Sequence, residues 1–384
     1  MERQLTLAQI ESRLLSQDFT QLPFSDLLQN ISDDPQLQQF APDGVCQIDP
    51  RNGTLVIYNS ARAKRIHTTA SPNPNNLVDC ACPICDGHVG DILDYAEHSE
   101  GFTFVNKNLY PIFLPIDELP CESADYFEHQ DPEHRGRSSY GFHLLQWTSS
   151  IHTRDWHNMP FDDALISFQR LAAIEHSLLH QPSEFMSRSM IQMAQQSVSG
   201  YVSVIKNYGA AAGASLTHGH QQIGYSNILP QQFFNNLRFR KRNDKPFSQF
   251  ILEENPKELQ VWDFGEVLLV VPYFMKRPFD MLLLVKDTEV RYLHQLSDKQ
   301  QQQVVKAIQA VCASLIALMQ QMGKVPAFNF MVNNGPGCGL YIEFLAKTQL
   351  MGGFEQIGLY VCQANPKACA EELRTQIAQQ LKSG

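Results

Sequence analysis

Apolar and polar positions alternate along this chain in two rhythms, which divide it into short strands and a few long helices. NGTLVIYN (52–59) is a turn signal running into a strand, and FTFVN (102–106) and FHLLQW (142–147) read as strands. DALISFQRLAAIEHSLLH (163–180) has the spacing of an amphipathic helix. YVSVIKN (201–207) is a strand that ends in the small-residue turn GAAAGA and resumes as HGHQQ. In the second half, VWDFGEVLLVVPYF and DMLLLVK read as strands, and SDKQQQQVVKAIQAVCASLIALM (297–319) as a long helix with Ser297 at its N-cap. FNFMVNNGPGCGLYIEF (328–344) then repeats the order strand, glycine turn, strand. Laid side by side, NYGAAAGASLTHGHQQ and NNGPGCGLYIE set Gly339, Tyr341 and Glu343 against His218, His220 and Gln222. That is a degenerate internal repeat. Residues 1–45 are polar, with Leu5, Leu7, Ile10 and Leu14 at loose helical spacing. The expected fold class is α+β, mostly antiparallel: an N-terminal helical extension (1–45), a first domain (46–235) and a degenerate second copy (236–384).

Composition narrows the function. With 384 residues, 43% of them hydrophobic, the chain can bury a large core. The net charge is −10 and the densest basic stretch is RFRKR at 238–242, which speaks against a nucleic-acid polymer as partner. MERQLTLAQIESRLL lacks the basic-then-apolar order of a signal peptide, and no uninterrupted apolar stretch of about 18 residues occurs, so no membrane span is expected. Nine cysteines without the spacing of a disulfide framework point to a reducing, cytoplasmic setting.

Candidate chemistry centres on THGHQQ. Residues at i, i+2 and i+4 of a strand leave the same face, so His218, His220 and Gln222 act together. A neutral imidazole held in one tautomer is a good nucleophile toward phosphorus. Gly219 lets the backbone approach a ligand, and Gln222 can donate to a phosphoryl oxygen without titrating. Upstream, NYGAAAGAS offers small residues, backbone N–H groups and Ser215, which suit a phosphate cradle. An HxH pair also occurs as a metal pair or as two surface histidines. Cys82-Pro-Ile-Cys85 has the spacing of half a zinc site, and its partners must come from the thirteen histidines. Cys80 is a further thiol beside it. A redox pair is the other reading of CxxC, although no thioredoxin-like context surrounds it.

At this point the chain resembles the galactose-1-phosphate uridylyltransferase branch of the histidine triad superfamily, close to the subgroup of plant ADP-glucose phosphorylase. Six motifs carry the resemblance, over residues 50 to 375: RAKR (Arg62 to Arg65), CPxC (Cys82 to Cys85), NLYP (Asn108 to Pro111), NxGAxxGxS (Asn207 to Ser215), HxHxQ (His218 to Gln222) and GGFE (Gly352 to Glu355). It implies two tandem histidine-triad-like domains, with His220 as the nucleophile that takes up a nucleotide and Gln222 and Ser215 assisting. It further implies phosphate contacts from Arg62, Arg65, Asn207, Gly213 and Ser215, and sugar contacts from Glu355, Phe354 and Glu343. One structural Zn2+ per chain is expected on Cys82, Cys85, His218 and His152, with His157 as the other choice for the last place. A second metal site known in some relatives is not expected, because Asn236 stands at its glutamate position and GLYIEF has no histidine. The expected activity is nucleotidyl transfer from a sugar nucleotide to a hexose 1-phosphate, as in hexose-1-phosphate uridylyltransferases. Rivals are a sugar-nucleotide phosphorylase using inorganic phosphate, a dinucleoside polyphosphate phosphorylase, and a non-catalytic nucleotide- or zinc-binding protein. A homodimer is implied by the resemblance alone. Base, sugar and acceptor are left open.

Overall fold

A computed structural model describes residues 3–42, 44–49, 51, 53–64, 82–115, 136–180 and 200–383. Arg65, Cys80 and the loop SPNPNN (71–76) lie outside the described residues.

Three strands, β1 (Val45–Ile48), β2 (Leu55–Ile57) and β5 (Gly136–Ser138), form a small sheet in the order β2-β1-β5. The other ten are β3 (Ile92–Glu97), β4 (Phe102–Lys107), β6 (Gly141–Trp147), β7 (Tyr201–Tyr208), β8 (His220–Ser226), β9 (Gln260–Asp263), β10 (Val267–Val270), β11 (Met281–Val285), β12 (Phe328–Asn333) and β13 (Tyr341–Ala346). They make one sheet in the order β3-β4-β6-β8-β7-β12-β13-β11-β10-β9, antiparallel at every pairing. The architecture is thus mixed helix and sheet, with a large antiparallel sheet flanked by helices.

The strand order reads the same from either edge. Each half contributes three strands, a long helix and two more strands. The helix Phe161–Leu179 falls between β6 and β7, and Asp298–Gln321 falls between β11 and β12. The halves meet where β7 pairs with β12. One cross-strand row runs Gln222, Ile205, Met331, Glu343. Directly opposed residues share a face, so Gln222 and Glu343 look out on the same side, roughly 14 Å apart at about 4.8 Å per strand. This is the alignment of the two motifs expected from the repeat.

The opposite face is the core. Leu144, Ile223, Val204, Val332 and Ile342 are buried there with Phe168 and Leu171 of the first long helix and Val304, Ile308 and Val311 of the second. Asp298–Gln321 starts with a capping box: Ser297 Oγ accepts from the Gln300 N–H, and the Gln300 side chain accepts from the Ser297 N–H at 2.8 Å. This helix is long and apolar enough on average to cross a bilayer, but 61% of its most apolar window is buried against the protein, as in a core helix.

Residues 1–45 are only partly helical. Short turns precede helices Phe24–Ser32 and Pro35–Gln39. The Leu5 N–H donates to the Ser150 carbonyl, and Gln4 and Leu14 form isolated bridges with Ile151 and Ile92. Phe19, Leu27, Ile31 and Leu37 join the main core, while Leu5 and Ile10 pack with Cys82, Cys85 and Trp147. Of the apolar positions at loose helical spacing, Leu7 and Ile10 lie in the short helix Leu7–Ile10; Leu5, Ile10 and Leu14 reach the sheet edge, and Leu7 is exposed.

Candidate active site

The CPxC segment folds as a tight turn, with Asp86 N–H on the Cys82 carbonyl and Gly87 N–H on the Ile84 carbonyl. Both thiols therefore leave the turn on one side. His218 enters at the start of β8 and His152 from the turn after β6. Ligand atoms of Cys82, Cys85, His152 and His218 all lie within 4.8 Å of one another, in a group that could hold a metal ion. His218 Nδ1 is 3.7 Å from Cys82 Sγ and 3.6 Å from Cys85 Sγ, and His152 Nδ1 is 3.6 Å from Cys85 Sγ. His218 Nε2 lies 2.7 Å from the Ser149 carbonyl, which can only accept. Its Nδ1 therefore faces the sulfurs with its lone pair, the tautomer a cation needs. Burial alone would raise the Cys82 thiol, but hydrogen bonds with His152 and His218 draw it down to about 5. Burial and the neighbouring Cys82 push Cys85 up to about 12. Two sulfurs this close share one negative charge until a cation balances a second. His157, the other choice, stands edge-on to the Tyr208 ring instead.

One step further along β8, His220 is 8% exposed, with its ring 4.9 Å from that of Trp147. Its Nδ1 sits 2.8 Å from the His218 carbonyl, so Nδ1 carries the hydrogen and Nε2 the lone pair. Burial pulls the His220 pKa down to about 4 against that hydrogen bond, which raises it. The imidazole is therefore neutral at pH 7. Behind it, Lys206 Nζ donates to the His220 carbonyl at 3.1 Å and pairs with Asp155 at 2.7 Å, both side chains being buried. Asp155 explains Gly219: a Cβ there would meet the Asp155 carboxyl carbon at 2.6 Å. The glycine is required by the group under the strand.

Gln222 is oriented by a residue that the motifs do not include. The Ile112 N–H donates to His143 Nδ1 at 3.2 Å, leaving Nε2–H of His143 to donate to Gln222 Oε1 at 3.0 Å. With its oxygen engaged, Gln222 presents its NH2 as the available donor. Asn108 Nδ2 also lies 3.3 Å from the His143 ring, and Asn108 Oδ1 accepts from the Tyr110 N–H. Arg62 Nη1 donates to the Tyr110 carbonyl at 2.6 Å. NLYP thus links RAKR to HxHxQ. His143 escaped sequence reading because it sits in an apolar strand whose partners lie 31 and 79 residues away. The available signal was its parity: His143 shares a strand face with Trp147.

The cradle turn runs from Gly209, at φ 80°, through a 3-10 turn at Ala210–Ala212 to Gly213 in the left-handed region. A Cβ on Gly209 would meet the Pro326 carbonyl at 2.4 Å. Asn207 Oδ1 accepts from Asn329 Nδ2, which also donates to the Ala212 carbonyl, bracing the turn from β12. Ser215 is half-buried between this turn and His218.

The expected sugar residues are elsewhere in the chain. Glu343 lines a cavity of about 500 Å³ with Lys276, Arg277, Tyr341 and Tyr360. Asn236 lines the same cavity and is buried, and Gln232 Nε2 donates to the Tyr341 hydroxyl at 3.3 Å. Glu355 Oε2 accepts from the Gly352 N–H and Oε1 from the Val361 N–H, shaping an exposed loop; its own backbone N–H, then those of Val361 and Gly352, hold its pKa low. Phe354 on that loop is 62% exposed. Within one chain, Gln222 and Glu343 are thus separated by β7 and β12.

No family model matches the chain. ADP-glucose phosphorylase of Arabidopsis thaliana is 24% identical over 351 residues, 85% of this chain and 91% of that protein. Galactose-1-phosphate uridylyltransferase of Thermotoga maritima is 25% identical over 278 residues, covering 71% and 76%. Among solved structures, a uridylyltransferase superposes with TM-score 0.64 at 16% identity, over 88% of this chain and 99% of that one. ADP-glucose phosphorylase from Arabidopsis thaliana, solved with bound ADP-glucose, gives 0.55 at 19% identity, over 87% and 99%. The fold is that of the uridylyltransferases, and His220 stands on one face of its sheet. The chain is a homologue of proteins named galactose-1-phosphate uridylyltransferase and ADP-glucose phosphorylase, the group that its motifs resemble.

Proposed function

We propose that this protein moves a nucleoside monophosphate from a sugar nucleotide to a phosphorylated acceptor through a covalent intermediate on His220. The observation that carries the reading is the buried, neutral His220, with Nδ1 held by the His218 carbonyl and Nε2 left to act. Low-identity homologues of both names support a nucleotidyltransferase or phosphorylase. Nε2 attacks the α-phosphorus, the bond to the bridging oxygen breaks, and sugar 1-phosphate leaves with the electron pair. An acceptor oxygen then attacks the same phosphorus and expels Nε2. The Gln222 NH2, aimed by His143, and the Gly209–Ser215 turn stabilise charge on the phosphoryl oxygens. Arg62 and Arg65 are assigned to the nucleotide phosphates.

Residues 46–235 are read as the catalytic copy and 236–384 as the degenerate one. The resident cation is zinc, held by Cys82, Cys85, His152 and His218. With four protein donors its role would be structural: it would tie the CPxC turn to the strand that carries His220. In a reducing cytoplasm the two cysteines stay available as ligands.

Hexose 1-phosphate is the first choice of acceptor, with uridine as the base. Inorganic phosphate is the second reading, supported by the longer match to an ADP-glucose phosphorylase. The test is to incubate the protein with UDP-, ADP- and GDP-sugars, trap the nucleotidyl-protein, and chase it with hexose 1-phosphates or phosphate. No labelled protein with any donor sinks the proposal. Discharge by phosphate alone replaces the transferase with the phosphorylase.

A further inference from the structure

Away from the catalytic face, three histidines meet at the surface. His176 and His180 lie four residues apart at the C-terminal end of the helix Phe161–Leu179, their rings stacked with centroids 4.2 Å apart. His294, in the turn Leu293–Gln295, stands edge-on to both, at 5.0 Å and 77° from His176 and 5.3 Å and 85° from His180. Tyr292 stacks on His294 at 5.4 Å.

Beneath them lies buried Glu175. Its Oε2 accepts from His294 Nδ1 at 2.9 Å and from the His294 backbone N–H at 3.1 Å, while Oε1 accepts from Asn334 Nδ2 at 3.0 Å. His294 therefore keeps its hydrogen on Nδ1 and its lone pair on Nε2. His180 Nδ1 lies 2.8 Å from the His176 carbonyl, which can only accept, so its lone pair is on Nε2 as well. A carboxylate behind an imidazole is the arrangement that orients histidine ligands and raises their basicity. The Cys82 group offers an internal yardstick: its two histidines, His152 and His218, have centroids 5.2 Å apart at 86°.

We propose that His176, His180 and His294 form a second metal site, for a divalent transition cation that favours imidazole, such as Zn2+, Co2+ or Ni2+. Three neutral imidazoles leave a coordination position for water. As the rings stand, their nitrogens are spread more widely than the donors of the Cys82 group, which fall within 4.8 Å. Ligation needs His176 and His180 to unstack, and both are exposed side chains at a helix end. The cation would join the end of a first-half helix to a second-half turn, through the same Glu175 that holds Asn334 of the second glycine turn. The competing explanation is a stacked, solvated histidine cluster at the negative end of a helix dipole.

The test is calorimetric titration of the tag-free protein, resident metal in place, with Ni2+ at pH 7.5. The wild type should take up one saturable equivalent that His180→Ala lacks, with its melting temperature rising on Ni2+ addition only in the wild type. His180 is exposed, so the variant keeps its packing, and circular dichroism checks this. His157→Ala, a histidine outside the cluster, should bind as the wild type does. Equal uptake by wild type and His180→Ala, or saturable uptake by neither, overturns the proposal. Metal binding is read without turnover, so the result is independent of the nucleotidyl-transfer reading.

Discussion

The catalytic reading rests on where single hydrogens sit. With Nδ1 of His220 on a carbonyl, His220→Ala should abolish nucleotidylation, and His220→Gly should regain part of it with free imidazole, measured as labelled protein per turnover. The pH profile follows from burial. His220 titrates at about 4 in the folded chain, so the rate of the first half-reaction should show no His220 acid limb between pH 8 and about pH 5. An acid limb near the ordinary histidine value would contradict that. For stability the sign is the same. Above the ordinary value neither state binds the proton. Below it the unfolded chain binds a proton that the folded one refuses, so stability is lost as pH falls toward the folded value. His143 is a positioning residue, which a double-mutant cycle exposes. His143→Leu should slow nucleotidylation on the order of ten- to a hundredfold, but have little further effect on a Gln222→Ala background. Additive losses would mean that His143 acts by another route. HxHxQ could be read from sequence because period two puts its members on one face. His143 could not, because its orienting contacts come from a loop and a strand that only the fold brings together.

At the level of elements, local patterns sufficed where packing agreed with them. Ser297 caps its helix as the sequence suggested, the structure adding the reciprocal Gln300 contact, and Ser297→Ala should cost about 1 kcal/mol in chemical denaturation. Residues 1–45 form short helical pieces, from Leu7–Ile10 to Pro35–Gln39, whose apolar side chains serve two separate clusters. The turn Cys82–Gly87 packs Cys82, Ile84 and Cys85 into a small apolar cluster, with both thiols turned to the metal-type group. Chelation, or Cys82→Ser with Cys85→Ser, should therefore lower both the melting temperature and the rate of nucleotidylation. Metal retained by the double variant would remove these cysteines from the site.

For the whole molecule, the repeat was visible as two glycine turns, but the mirrored strand order was not, since nothing local tells β7 to choose β12. The scale of the sheet also sets the sugar question. Leu350, Ile357 and Leu359 are 95%, 79% and 58% exposed on the loop that Glu355 shapes. An exposed apolar loop of this kind suits contact with a second copy of the chain, the homodimer that the family resemblance implies. Sedimentation should therefore give a dimer at micromolar concentration, and a monomer there would reject it. Because Glu355 also holds the loop's backbone, Glu355→Ala should weaken dimerisation as well as transfer to hexose 1-phosphate. Phe354→Ala separates the two effects, since Phe354 braces the loop only through its carbonyl, which accepts from the Ile357 and Leu359 N–H groups and which alanine keeps.

The seam between β7 and β12 bears on how the chain is made. It is the one strand pairing, among those described, that joins the halves. During synthesis the first half is complete while β7 still has a bare edge, and bare edges recruit other strands. A fragment ending at residue 229 would keep that edge for good. Because β7 meets β12 antiparallel, another β7 can take its place by a two-fold rotation, which rebuilds a ten-stranded sheet from two identical halves. Such a fragment should sediment as a symmetric dimer, and a charge placed in the middle of β7, as in Ile205→Lys, should dissociate it.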